Sequence, residues 1–348
     1  MKLYGKEKWL LALLKYIDRT RYSSMVIPLI DEDSFPLADM LRQYGIEFHT
    51  VRISGKYSFR KAQEIVELVK KKRIDILHTH DYKSDILGLA TKSKMNIKVI
   101  STPHGWSNES DIKLQFYQLL DRIALGLFDH VAPLSPHIAR SLVFTRNAHR
   151  TLIVNFIDVA SIPVSEVRDE KLFSYVGRLT PLKRVADVIV AIAHTNDREI
   201  RLQIIGDGPQ ADELKRSALK LGVQDRVLFL GFRSDALDLL GRSAALVLSS
   251  LTEGTSRIVM EAMAMGKPVI GTNVQGINTL IEQNRTGVLV PVKDPRSIAR
   301  AIDRLATDKT LSISLGSAAR DHILKTHSAE VVVKEYEKLY DRVLGVNR

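Results

Sequence analysis

The sequence predicts an α/β protein of two doubly wound halves, and three observations predict it. Short apolar β-branched runs alternate with helical patterns along the chain, the signature of βαβ units and parallel sheets. The length, 348 residues, is about twice a ~150-residue domain. The alternation breaks once near the middle, at residues 158–171, where Pro163, Ser165 and the charged run Arg168-Asp169-Glu170-Lys171 precede a fresh strand.

Strands are predicted in the first half at residues 25–30, 48–53, 75–80, 98–102, 130–134 and 151–155, and in the second at 173–176, 201–205, 227–230, 245–248, 268–270 and 287–290. Helices fill the gaps. Val185, Val188, Ile189 and Ile192 recur at helical spacing, as do Ile112, Phe116, Leu119 and Ile123. Lys2, Lys6 and Lys8 before Trp9 imitate a signal sequence, but Lys15 and Asp18 interrupt the apolar run and no small-residue cleavage site follows, so an amphipathic first helix is predicted. The expected division is a domain over 1–165, a second over 171–327, and a terminal helix over 328–348 that crosses back to the first. That helix carries an apolar stripe of Val331, Val332, Tyr336, Leu339, Tyr340 and Val343. Two open sheets joined by one linker place a ligand cleft at their carboxyl strand ends.

The composition, 45% hydrophobic and 26% charged, excludes collagenous, low-complexity and wholly disordered classes. No apolar run approaches the ~20 residues of a spanning helix. The absence of cysteine removes disulfides and thiolate chemistry and fits the cytoplasmic side. The net charge of +11 is spread evenly, +5 over residues 1–170 and +6 over 171–348. Such an excess suits polyanions: nucleotide diphosphates or an anionic membrane, with basic patches at Lys70–Arg73 and at Lys92, Lys94 and Lys98. Lys70–Arg73 reads first as the cationic end of a solvated helix. Aromatics are few and no nucleic-acid motif is present, so no nucleic-acid partner is expected.

The second half carries the more informative residues. Gly177 ends a strand, Arg178 offers a planar fork of donors and Lys183 sits near a helix start, which together make an anion site without a Walker loop; two solvated cations at a helix start fit the same spacing. Gly206-Asp207-Gly208-Pro209 closes a strand and opens a helix, as an ordinary tight turn also does. In the run 253–270, Glu253 stands in a loop, Gly254, Thr255 and Ser256 follow, and Glu261 lies about two turns into a helix. Both carboxylates can face the cleft and grip sugar hydroxyls while helix-start amides face an anion; the same pair can be merely solvated. In the first half, His104 follows Pro103 at a carboxyl strand end. Alternation puts His78 and His80 on one face beside Asp81, but a third metal ligand is missing, so no metal is expected. Asp31-Glu32-Asp33 reads as a helix cap.

These stretches together resemble the retaining, nucleotide-sugar-dependent glycosyltransferases of family 4, whose architecture of two Rossmann-like domains is called GT-B. The resemblance rests on His78-Thr79-His80-Asp81, Ser101–Gly105, Val176-Gly177-Arg178 with Lys183, Ile205–Pro209, Glu253 and Glu261 with Ala262-Met263-Ala264, and Gly287–Pro291 with Asp294. It implies an acceptor-side first domain and a nucleotide-sugar-binding second domain. It further implies that Arg178 and Lys183 bind the donor diphosphate, Glu261 the ribose, Glu253 the transferred sugar, and His104 the sugar near the reacting centre. Gly5 stands where the family's first loop touches donor. No metal or other cofactor is implied, and the donor phosphate is the expected proton acceptor.

The chain departs from that pattern at three places. Thr255-Ser256 replaces an aromatic-Gly pair, Thr279 stands where a Glu often follows the turn at Gly276, and only Met1–Tyr4 precede Gly5, so the first central strand is expected to be missing. The leading reading is transfer of a sugar, with retention, to an envelope polysaccharide, glycolipid or similar saccharide or lipid-linked acceptor. A catalytically silent GT-B protein that binds a nucleotide sugar or partner is the alternative, and an epimerase of the same fold is less favoured.

Overall fold

The structure, a computed structural model, describes residues 5–30, 37–53, 59–105, 112–142, 149–164, 167 and 169–346. Met1–Tyr4, Asp31-Glu32-Asp33, Ser165 and Arg168 lie outside them. The chain divides into two compact units, residues 1–155 with 329–348, and residues 156–328.

The first unit opens with α1 (Gly5–Tyr16), which buries Trp9, Leu11, Ala12, Leu13 and Leu14. The predicted strand at 25–30 is two short ones, β1 (Met25–Val26) and β2 (Leu29–Ile30), because Pro28 between them has no N–H to donate. After α2 (Ala38–Gln43), β3 (Glu47–Phe48) pairs with β1 and β4 (Val51–Arg52) with β2, both parallel. Then come α3 (Phe59–Lys72), β5 (Ile76–Thr79), α4 (Tyr82–Lys92), β6 (Lys98–Ser101), α5 (Ile112–Gly126), β7 (His130–Val131) and α6 (Pro136–Ser141). β5, β6 and β7 form one parallel sheet, and among the described residues no ladder joins it to β1 or β2.

One expectation fails in this unit. Residues 151–155 form no strand: Thr151 and Ile153 donate to the carbonyls of Val131 and Pro133 at 3.1 and 3.2 Å, but Pro133 has no N–H with which to continue a ladder. α5 forms where its periodicity places a helix, with the apolar stripe on the outside. Its inward face carries Gln118, Asp121, Ala124 and Leu125, whereas Phe116, Leu119, Ile123 and the following Leu127 are 57, 46, 43 and 57% exposed.

The second unit alternates strand and helix as far as β12: β8 (Leu172–Val176), α7 (Val185–His194), β9 (Arg201–Ile205), α8 (Ala211–Lys220), β10 (Val227–Gly231), α9 (Ala236–Arg242), β11 (Ala245–Leu248), α10 (Arg257–Ala264) and β12 (Val269–Thr272), followed by β13 (Val288–Val290), α11 (Pro295–Thr307) and α12 (Lys309–Thr326). The sheet runs β10-β9-β8-β11-β12-β13, all parallel. Its central strands are buried on both faces, with Phe173, Tyr175, Leu246 and Val247 wholly inaccessible, as helices on both sides require. Strand order reverses between β8 and β11, so their carboxyl ends open the crevice of the sheet.

α13 (Ala329–Leu344) counts with the first unit. It lies on α1 and the turn after it: Asp18 N donates to Glu337 Oε1 at 2.8 Å, and Tyr22 Oη and Arg21 donate to Asp341 at 2.7 and 2.6 Å.

Candidate functional site

In the second unit the carboxyl ends of β8, β9, β11 and β12 converge because their turns are glycine-built. Gly177 N donates to Ile205 O at 3.0 Å and Leu179 N to Asp207 O at 2.9 Å. A Cβ on Gly206, at φ +145°, would lie 1.9 Å from Gly177 O, and one on Gly208 would lie 2.4 Å from Leu179 O. Only glycines let the two loops touch. Gly276, at φ +88°, does the same for the Gly254 turn, where a Cβ would meet Gly254 O at 2.1 Å. Exposed Asp207 folds back onto Gly208 N at 2.7 Å.

On this platform Lys183 and Glu253 meet. Lys183 Nζ donates to Glu253 Oε1 at 2.5 Å, and Ser250 Oγ donates to the same oxygen at 2.7 Å. Ser249 Oγ donates to the carbonyls of Lys183 and Arg184 at 2.9 and 2.8 Å, so the end of β11 fixes the loop after β8. Arg178 is exposed, and its guanidinium makes no ion pair among the described residues. Glu261, nearly buried, accepts from Arg257 Nε at 2.8 Å. Ser256 N, one of the helix-start amides, is already used by Gly276 O at 3.2 Å. The structure thus brings Lys183 to Glu253 and gives Glu261 to Arg257. Neither serine stood out in the sequence, although both follow β11 at a carboxyl strand end.

Gly5 and His104 belong to the first unit. Gly5 is the exposed first residue of α1. His104 follows the end of β6 and sits in an aromatic nest: the Trp9 ring lies 5.3 Å from it, 5.1 Å from His80 and 5.4 Å from Tyr336. His78 and His80 do share a face, with ring centroids 4.3 Å apart. His78 has structural partners, Tyr340 Oη on Nδ1 and Thr102 Oγ1 on Nε2, each at 2.9 Å. Asp81 caps α4, accepting from the amides of Lys83 and Ser84 at 3.1 Å. Burial drives all three imidazoles toward the neutral form, His80 down to about 4 and His78 and His104 well below the usual range. No group of three His, Asp or Glu able to hold a metal occurs among the described residues.

Among the described residues, three of the seven cations in the basic patches have acidic partners. Lys72 reaches Glu47 at 2.5 Å, and Lys92 and Lys98 both reach Asp129, Lys98 at 3.5 Å. No helix among the described residues is long and apolar enough to cross a membrane.

Sequence reasoning passed over Asp85 and Asp121, which are 0 and 2% exposed. Their signal is a carboxylate on the helix face that also carries small buried residues: Asp85 shares its face of α4 with Gly88 and Thr91.

Residues 160–322 match the family model for glycosyl transferases group 1, and residues 5–161 match that for glycosyltransferase family 4. N-acetyl-alpha-D-glucosaminyl L-malate synthase of Bacillus anthracis is 28% identical over 328 residues, 86% of this chain and 85% of the relative. UDP-Gal:alpha-D-GlcNAc-diphosphoundecaprenol alpha-1,3-galactosyltransferase of Escherichia coli is 27% identical over 344 residues, 90% of this chain and 88% of the relative. The solved structure of Anabaena Alr3699/HepE in complex with UDP superimposes with a TM-score of 0.83 at 19% identity, over 98% of this chain and 97% of that one. The fold is GT-B.

Proposed function

Because the chain belongs to the glycosyltransferases, with a family 4 region followed by a group 1 region, we propose that it moves a sugar from a nucleotide diphosphate sugar to a saccharide or lipid-linked acceptor with retention of configuration. The observation that carries this is the Lys183–Glu253 pair at the end of β11, beside the glycine-built turn of β8.

In this reading Arg178 and Lys183 hold the diphosphate, and Gly177, Gly206 and Gly208 let backbone approach it, with Asp207 holding the Gly208 turn. Glu261 takes the ribose, and Gly254, Thr255 and Ser256 line the sugar with Glu253. Gly5 and His104 contribute from the first unit, His104 as a neutral imidazole that can both donate and accept. The bond from the anomeric carbon to the diphosphate oxygen breaks, the acceptor oxygen bonds to the same face, and its proton passes to the departing diphosphate. Arg178 and Lys183 supply the positive charge that stabilises that leaving group, which makes the reaction metal-independent. A UDP sugar is the donor of choice, since the Escherichia coli relative uses UDP-Gal and the Anabaena structure holds UDP.

The exposed α5 stripe of Phe116, Leu119, Ile123 and Leu127 supports peripheral contact with an anionic membrane at which a lipid-linked acceptor would be met. Incubation with UDP-hexoses, a chelator and a panel of glycoside and lipid-linked acceptors tests the reading. Expected is a glycoside product with the donor's anomeric configuration and one UDP released per bond. An inverted product, activity abolished by chelation and restored by magnesium, or no turnover of any donor would each contradict part of it.

A further inference from the structure

Lys183 and Glu253 are held by separate anchors at the end of β11. Ser249 and Ser250, both wholly inaccessible, leave the strand in succession and reach different loops. Ser249 Oγ donates to the carbonyls of Lys183 and Arg184 at 2.9 and 2.8 Å, so it fixes the backbone of Lys183 without touching its side chain. Ser250 Oγ donates at 2.7 Å to Glu253 Oε1. The Ser250 carbonyl in turn accepts from Thr272 Oγ1, buried at the end of β12, at 2.6 Å. The Glu253 carboxylate is thereby tied to two neighbouring strands of the sheet.

Oε1 of Glu253 receives two donors, Ser250 Oγ and, at 2.5 Å, Lys183 Nζ. Oε2 takes no hydrogen bond among the described residues. The two partners differ in freedom. The Glu253 side chain is 11% exposed and that of Lys183 27%, and a lysine ammonium rides on a flexible four-carbon stem. A nearly buried carboxylate that loses its cation needs another donor, because an uncompensated charge bears the full cost of leaving water. Ser250 is that donor, and it has no cause to move.

We propose that Ser250 is a positioning residue: it keeps the Glu253 carboxylate aimed at the transferred sugar while Lys183 passes from Glu253 to the diphosphate. The proposal rests on the transferase reading and adds a difference between donor and product. With a UDP sugar bound, a sugar hydroxyl donates to Oε2, and the carboxylate is satisfied by that hydroxyl and Ser250. With UDP alone no hydroxyl arrives, the carboxylate faces the charge of the diphosphate, and Lys183 is drawn back to Oε1. Ser250 therefore supports binding of the sugar and is indifferent to the nucleotide.

The test is calorimetric titration of the full chain, unaltered and as Ser250→Ala, with UDP and with UDP-glucose, UDP-galactose and UDP-N-acetylglucosamine. The UDP-hexose that binds tightest should lose about tenfold in affinity, the scale of a hydrogen bond to a charged group, while UDP affinity stays the same. Thr272→Val keeps the shape and removes the donor to the Ser250 carbonyl; it should act in the same direction by a smaller factor, and it serves where Ser250→Ala does not fold. In a Glu253→Ala background Ser250→Ala should change nothing further, because the group it positions is gone. A serine with only a structural role would lose UDP and UDP-hexose alike, in both backgrounds. Equal losses for the two ligands, a further loss in the Glu253→Ala background, or unchanged UDP-hexose affinity in the folded variants would overturn the assignment. The underlying reading fails separately: an unaltered chain that binds a UDP-hexose and transfers it to no acceptor refutes the transferase, and the titrations still decide the role of Ser250. An unaltered chain that binds no UDP-hexose refutes both.

Discussion

Lys183 Nζ sits 2.5 Å from Glu253 Oε1, so the cation assigned to the diphosphate and the carboxylate assigned to the sugar already neutralise each other before donor arrives. Donor binding exchanges one charge-assisted bond for two. Lys183→Ala should remove a contact of about 1.5–3 kcal/mol and weaken UDP-sugar binding ten- to a hundredfold, with the freed Glu253 repelling the diphosphate. Arg178→Ala, whose guanidinium has no ion pair to lose among the described residues, should weaken donor binding by a similar factor with thermal stability unchanged. Calorimetric titration of both variants checks this; unaltered affinity in the folded double variant would remove the diphosphate assignment.

Gly206 is a backbone constraint of a different kind. With φ at +145° and Gly177 O where a Cβ would stand, Gly206→Ala should cost about 1–3 kcal/mol in strain and displace the Gly177 turn. Urea unfolding should show the lower midpoint, and donor affinity should fall with it. Gly222→Ala, at φ +67° with nothing within 4 Å, is the control: strain alone, with donor affinity kept.

Stability should fall on acidification below about pH 6.5. His80, His130 and His327 are held down to about 4 by burial, and His78 and His104 lie well below their usual range. The unfolded chain binds protons at these sites first, so between about 6.5 and 4 each site costs stability as pH drops. Asp85 has the opposite sign, since its raised pKa favours the fold most below 3.8. Two raised carboxyls, Asp85 and Asp303, against five depressed imidazoles leave the net slope positive with pH. Urea midpoints at pH 7.5, 6.0 and 5.0 should decline in that order, and a flat series would contradict the neutral histidine nest.

Membrane contact, if carried by α5, should depend on its apolar stripe more than on salt. Lys72, Lys92 and Lys98 are paired with acids of their own unit, whereas Leu119 and Ile123 are exposed. Leu119→Glu with Ile123→Glu should forfeit about 1.5–3 kcal/mol of burial per residue and reduce co-sedimentation with anionic vesicles by more than tenfold. Lack of co-sedimentation of the unaltered protein at low salt would dispose of the contact altogether.

The sequence by itself determined the parallel α/β class, the six strands of the second unit, and the positions where glycines end strands. These follow from local rules: period, β-branching, and the unique tolerance of glycine for close backbone approach. It also put His78 and His80 on one face, because strand alternation is a property of the backbone alone. Tertiary structure decided which partner each charged side chain takes. Glu253 and Lys183 are seventy residues apart and meet only because β8 and β11 are neighbours in the sheet. Glu261, one helix away, goes to Arg257 four residues before it. The facing of α5 was likewise undecided in the sequence, since a helix with two distinct stripes can bury either. Packing of α4 against α5 selected the stripe carrying Gln118 and Asp121. A carboxylate in a helix reads as solvent-facing until a second buried acid is brought beside it, and only the fold brings it.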